Sequence, residues 1–208
     1  MAEAQPPKSR LMRVDLWILI VLGILGITFF LLKFDESFPA ASIDLRMPKS
    51  QIIKLARNWS EKVGYPTTGA IDSTIFSFDE DAKTFLEYEL GQGKANDLMK
   101  DEVPVWTWRS RFCRPLQQEE CAIGMRTNGT LGFFERTLPN DVKLPSISHA
   151  EAKKLAESFV KETVGGSLYD TKLIDDSEEK QVNRADHYFT WEDQGHDFKG
   201  GRLRTYVY

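Results

Sequence analysis

The chain lacks the patterns that announce a reaction or a nucleic acid. Its formal charge of -4 comes with no basic stripe, and beyond Lys33 the Lys and Arg residues alternate with acidic ones. Binding a nucleic acid needs clustered cations that displace phosphate counterions, so that class of partner is excluded. No serine sits in a nucleophile elbow and no glycine-rich phosphate loop occurs. Histidine is scarce, with only His149, His187 and His196. A metal site would have to draw on Asp186, His187, Asp193, His196 and Asp197, and their spacing matches no zinc signature. His187, flanked by aromatics, reads as structural, and His196, among acids and glycines, reads as solvated. No catalytic residue, cofactor or metal is therefore expected.

What is present describes a folded protein. Hydrophobic residues make up 41 % of the 208 residues and aromatic residues 12 %, enough to bury a core of one large or two small domains. Leu16 to Leu32 contains no charge and is rich in Leu, Ile, Val and Phe. At the helical rise it spans about 25 Å, short for a bilayer but sufficient with modest thinning or tilt. Lys8, Arg10 and Arg13 precede it, whereas Lys33 is followed at once by Asp35 and Glu36, so the N-terminus is expected inside. Pro39-Ala40-Ala41-Ser42 offers small residues to a signal peptidase. Two features favour an uncleaved anchor instead: the run is longer than a usual signal core, and charged residues separate it from the small ones.

Two later segments resemble each other. Met47 to Trp59 and Ile147 to Phe159 both read as amphipathic helices, with Ile52, Leu55, Ala56 and Trp59 on one face of the first. Ala152, Leu155, Ala156 and Phe159 take the same places in the second, where Ser148 and Glu151 form a capping box. Each helix precedes strand-like sequence with aromatics around a threonine, Trp106-Thr107-Trp108 and Phe189-Thr190-Trp191. The first half continues as a three-stranded meander, returning through Cys121 to Met125, turning as a type I′ hairpin at Asn128-Gly129 and ending near Arg136. Asp81 to Gly91 is an additional helix of that half. The second half has a turn at Gly200-Gly201 and one further strand, Arg202 to Tyr208. It therefore reads as unfinished, with an edge that either a partner or further chain would close.

Cys113 and Cys121 flank the turn around Gln117. Antiparallel pairing could bring them to disulfide distance, and export would permit oxidation; two reduced core thiols are the equal alternative. Asn58-Trp-Ser60 and Asn128-Gly-Thr130 match glycosylation sequons, but a helix and a turn explain them.

The chain divides into a cytoplasmic tail (1–15), a transmembrane signal anchor (16–33), a juxtamembrane linker (34–47), a first helix-plus-sheet repeat (48–138), a linker (139–146) and a second repeat (147–208). The fold class is α+β. The order of an N-terminal span, Phe85-Leu-Glu-Tyr-Glu-Leu-Gly91, Pro104-Val-Trp-Thr-Trp-Arg109, Arg114-Pro-Leu-Gln-Gln-Glu-Glu120 and Arg184-Ala-Asp-His-Tyr-Phe-Thr-Trp-Glu192 resembles the extracytoplasmic region of some bacterial CAAX-protease-like (CPBP) intramembrane metalloproteases. The helix-then-strands repeat also resembles PepSY modules, which accompany secreted and membrane peptidases. The resemblance implies a non-catalytic module at the bacterial cytoplasmic membrane, with the lipid bilayer and a protein as partners. The alternative it implies is the N-terminal part of such a metalloprotease without its peptidase domain. That peptidase uses Glu-Glu-x-x-x-Arg on a membrane helix. Glu119-Glu120 departs from the pattern because Gly124 stands in the arginine's place and the pair lies in a hairpin.

Overall fold

Helix α1 runs from Leu11 to Ser37 in the computed structural model, which describes residues 11–139, 142–163, 170–181 and 183–208, apart from the side chains of 11–13, 35, 39–40 and 163. Its apolar part, Val14–Phe34, has 21 residues, none of them buried against the other described residues. At the helical rise this is about 31 Å, the thickness of a bilayer's hydrocarbon core, so the helix is longer than its charge-free stretch. Lys33 pairs with Glu36 at 2.7 Å where the apolar surface ends. Such a helix is compatible with a single-pass anchor or a signal sequence. Lys8 and Arg10, on which the expected orientation rests, lie outside the described residues, and so does the side chain of Arg13.

The first half contains helix α2 (Lys49–Lys62), strand β1 (Ile71–Phe78), helices α3 (Glu80–Leu90) and α4 (Gln92–Asp101), and strands β2 (Trp106–Cys113), β3 (Glu120–Arg126) and β4 (Leu131–Thr137). The strands form one antiparallel sheet in the order β1-β2-β3-β4, one strand more than the expected meander. Alternation along the strands sends Phe112, Cys121, Ile123 and Met125 to one face, where α2 covers them with Ile52 and Ala56. Leu55 and Trp59 pack at the margin, as the helical spacing predicts. Each large apolar side chain so buried contributes about 1.5–3 kcal/mol. Thr74 and Ser110 also face inward, and their hydroxyls bond each other at 2.9 Å, which removes the cost of burying them.

The Asn128-Gly129 hairpin forms with a different turn from the one expected. Gly129 has φ of 87°, but among the described residues Asn128 is not in the left-handed region, which a type I′ turn would require. Instead the Gly129 N–H donates to the Arg126 carbonyl at 2.9 Å, and Arg126 N–H donates to the Thr130 carbonyl at 2.8 Å. This is the three-residue loop in which a type I turn ends on a left-handed glycine. Asn128 acts through its side chain, whose Oδ1 accepts from the Thr130 N–H at 3.0 Å.

Helix α3 starts on Asp79, whose carboxylate accepts from the Ala82 N–H at 2.9 Å. Gly91, at φ 80°, both ends α3 and starts α4, a conformation that a side chain would oppose. The segment expected to be a juxtamembrane linker is docked on this helix pair and its neighbours. Trp106 Nε1–H donates to Ser42 Oγ at 2.9 Å, Asn96 Nδ2–H donates to the Phe38 carbonyl at 3.0 Å, and Arg46 bridges Asp44 and Asp101. The segment that leaves α1 is thus built into the domain.

The second half has helix α5 (His149–Thr163) and strands β5 (Thr171–Lys180), β6 (Ala185–Asp193) and β7 (Arg204–Val207), an antiparallel sheet in the order β5-β6-β7. The second sheet therefore has three strands, and the one not foreseen precedes β6. The capping box forms as expected: Ser148 N–H donates to Glu151 Oε2 at 3.0 Å, and Glu151 N–H donates to Ser148 Oγ at 3.3 Å. The Ser148 hydroxyl, then its backbone N–H, holds the Glu151 carboxyl below its ordinary range. The buried stripe of α5 is shifted from the expected one. Ala152, Ala156 and Val160 lie on Phe189 and Trp191, whereas Leu155 is 62 % exposed and Phe159 stacks edge-on against Phe134 of β4. Two alanines let the helix approach two large rings, which leucine at those places would not.

The halves share a core. Phe198, from the loop after β6, inserts among Leu86, Ala95, Met99 and Trp106, and Lys199 Nζ donates to the Glu89 carbonyl. The α3–α4 pair thus seats both the end of α1 and the second half.

Candidate functional site

The buried stripe of α5 begins one turn before Ala152, at His149. On β6 the alternation that buries Phe189 and Trp191 carries His187 onto the same face. Across the ladder, Glu178 stands opposite His187 and Asp176 opposite Phe189. Four polar side chains from three elements therefore meet at the polar end of an apolar contact. His149 Nδ1 and His187 Nδ1 are 3.0 Å apart. Glu178 Oε2 lies 3.5 Å from His187 Nδ1 and 4.0 Å from His149 Nδ1. His149 Nε2 bonds Asp176 Oδ1, and Lys153 Nζ reaches Asp176 Oδ2 at 2.8 Å. The His187 side chain is only 10 % exposed, while the other three groups are about one-third exposed.

Asp176 is held ionised, its carboxyl kept below the ordinary range by the Lys153 ammonium and then by His149. A carboxylate only accepts, so His149 Nε2 donates to Asp176 and His149 Nδ1 is turned inward. That nitrogen faces His187 Nδ1, with the Glu178 carboxylate beside both. The arrangement can share a proton or coordinate a cation.

The residues singled out from the sequence fall elsewhere, except for His187. Asp186 faces the other side of β6 and pairs with Arg184 at 2.7 Å. Asp197 pairs with Arg202 at 2.7 Å. Asp193 and His196 form their own pair at 2.9 Å. The hydrogen bond to Asp193 raises the His196 pKa. Burial pushes the Asp193 carboxyl up, but the His196 contact and the Gly195 N–H outweigh it and leave it lowered. Asp176 and Glu178 lie on β5, whose charged sequence carries little strand signal, so the sequence pattern does not bring them to His149. The available signal was His149 three residues before Ala152 on the buried stripe.

The cysteine pair resolves to free thiols. Cys121 stands opposite Phe112, and Cys113 opposite Glu120, so this register sends the two side chains to opposite faces of the sheet instead of pairing them across the ladder. Cys121 lies in the core, and burial pushes its thiol pKa up. Glu119 and Glu120 are held separately, by Arg136 at 2.6 Å and by Arg111.

Comparison of the chain with protein-family models, with curated proteins and with solved structures finds no match. The fold itself defines the class: an α+β protein with two antiparallel sheets behind one N-terminal apolar helix.

Proposed function

We propose that the chain is a membrane-anchored extracytoplasmic module, with its N-terminus inside and residues 34–208 outside, that works by binding or regulating a protein partner. One observation carries this reading. Among the described residues nothing covers α1 along Val14–Phe34, yet the segment directly after its end is built into α4 and β2, through Phe38 on Asn96 and Ser42 on Trp106. A helix used only for targeting would have no need of those contacts. Such a mount holds the domain at a fixed place above the bilayer surface, which suits a module that meets another membrane protein.

Two further features support it. Each half lays one helix on an antiparallel sheet, and the aromatic-Thr-Trp segments fall on the second strand of each sheet, consistent with two PepSY-like repeats. The resemblance to the extracytoplasmic region of CAAX-protease-like enzymes makes a membrane peptidase the favoured partner. Strand β7 pairs only with β6 among the described residues, with Tyr206 exposed, so it offers an edge for strand addition. Site-specific photocrosslinking in native membranes tests this. With p-benzoylphenylalanine at Tyr206, a discrete adduct with a membrane protein is expected, and none with the probe at Lys62. Equal or absent labelling at the two sites would refute the reading.

A further inference from the structure

Three potential ligand atoms at the head of α5 surround a common point. A point equidistant from His149 Nδ1, His187 Nδ1 and Glu178 Oε2, whose separations are 3.0, 3.5 and 4.0 Å, lies about 2.1 Å from each. Zinc binds imidazole nitrogen and carboxylate oxygen at roughly 2.0–2.2 Å. The triangle is also that of a metal site in its edges: ligand atoms around a tetrahedral ion at that bond length stand about 3.3 Å apart. A shift of a few tenths of an ångström in exposed Glu178 would raise the ion out of the ligand plane and open a fourth position to water.

We propose that His149, His187 and Glu178 bind a divalent transition-metal ion of the zinc class, clamping the first turn of α5 to the β5–β6 hairpin. The donor set selects the ion: two imidazoles and one carboxylate suit Zn²⁺, Co²⁺, Ni²⁺ or Cu²⁺, while Mg²⁺ and Ca²⁺ require oxygen shells. A second, independent feature agrees. His149 turns its other nitrogen to Asp176, which is itself held by Lys153, and this is the carboxylate–histidine arrangement that orients metal-ligating imidazoles. Three separate elements supply the ligands, so binding draws together a helix and two strands whose apolar contact stops at Phe189. His187 is almost wholly covered and thus held in place, while His149 and Glu178 remain reachable from solvent.

The experiment uses the full chain in detergent micelles, stripped with chelator and titrated with Zn²⁺ alone in a calorimeter at neutral pH. One equivalent is expected at micromolar affinity or tighter, with no response to Mg²⁺. Replacing Asp176 by Asn should weaken binding about 10–100-fold, and losing a direct ligand in His149→Asn or Glu178→Gln should weaken it by at least about 100-fold. His196→Asn should leave it unchanged. Because substitution of buried His187 could unfold the domain, ring-nitrogen NMR of the unmodified chain provides the second readout. Zn²⁺ should shift the resonances of His149 and His187 and spare those of His196. The proposal is overturned by an unmodified chain that takes up no stoichiometric Zn²⁺, by His149→Asn binding as tightly as the unmodified chain, or by shifts confined to His196.

Discussion

Gly124, in the middle of β3, stands directly opposite Phe133 of β4, and the ring of Phe133 occupies the space where a side chain would be. A Cβ at position 124 would lie 2.1 Å from Phe133 Cε1, 2.2 Å from Cδ1 and 2.8 Å from Cζ. No rotation of a methyl group relieves that, so in Gly124→Ala the ring must leave. It would give up its cover of the strand and its contact with the Arg109 guanidinium, now 5.4 Å from the ring centroid. Overpacking of this kind costs about 1–3 kcal/mol, and an exposed cation–π contact adds about 0.5–1 kcal/mol. In a Phe133→Ala background the obstacle is gone, and replacing a strand glycine by alanine should then stabilise by about 0.5–1 kcal/mol. The same substitution thus changes sign with its neighbour, and the coupling between the two sites is about 2–5 kcal/mol. Urea unfolding of the four chains of this cycle in micelles, followed by tryptophan fluorescence, measures it. If Gly124→Ala destabilises by the same amount in both backgrounds, Phe133 does not sit where β3 and β4 are paired here, and the sheet register is wrong.

The shifted stripe of α5 predicts that Leu155→Ala changes stability by less than about 0.5 kcal/mol, while Val160→Ala costs about 1–2 kcal/mol; urea unfolding distinguishes them. Cys113 should react first with iodoacetamide and Cys121 only on unfolding, and mild oxidation should leave no intramolecular Cys113–Cys121 bond by mass spectrometry. His196 should titrate above 6.5, its ordinary value, and Asp193→Asn should bring it back, as followed by NMR. The sign follows from the shifts. Raised His196 contributes stability that is present below pH 6.5 and lost as pH rises through its folded pKa, whereas lowered Asp193 contributes stability lost as pH falls through its own.

Elements with strong local signals were legible in the sequence. The apolar run of α1, the period of α2, the capping box of α5 and the aromatic strands β2 and β6 all form where they are expected. Weak signals hid the rest. β5 reads Thr-Lys-Leu-Ile-Asp-Asp-Ser-Glu-Glu-Lys, charged as edge strands often are, and low strand propensity conceals it. β1 turns Ile71 and Ile75 outward, so its alternation points away from the core. α4 carries polar residues around Ala95, Asn96 and Met99, and only its contacts with α1 and α3 explain why it is helical. The candidate site depended on these hidden elements. Two of its four residues lie on β5, and His149 gains its meaning only when α5 is laid across β6.

The central claim, an anchored domain facing outward, is tested most directly by protease protection. The full chain would carry one epitope before Met1 and another after Tyr208, and carbonate-washed membranes and intact spheroplasts would be probed for both. An anchored module predicts that both epitopes stay on one membrane-bound chain, and that external protease removes the C-terminal epitope while the N-terminal one survives. A C-terminal epitope released into the soluble fraction, or one protected while the N-terminal epitope is digested, would contradict it.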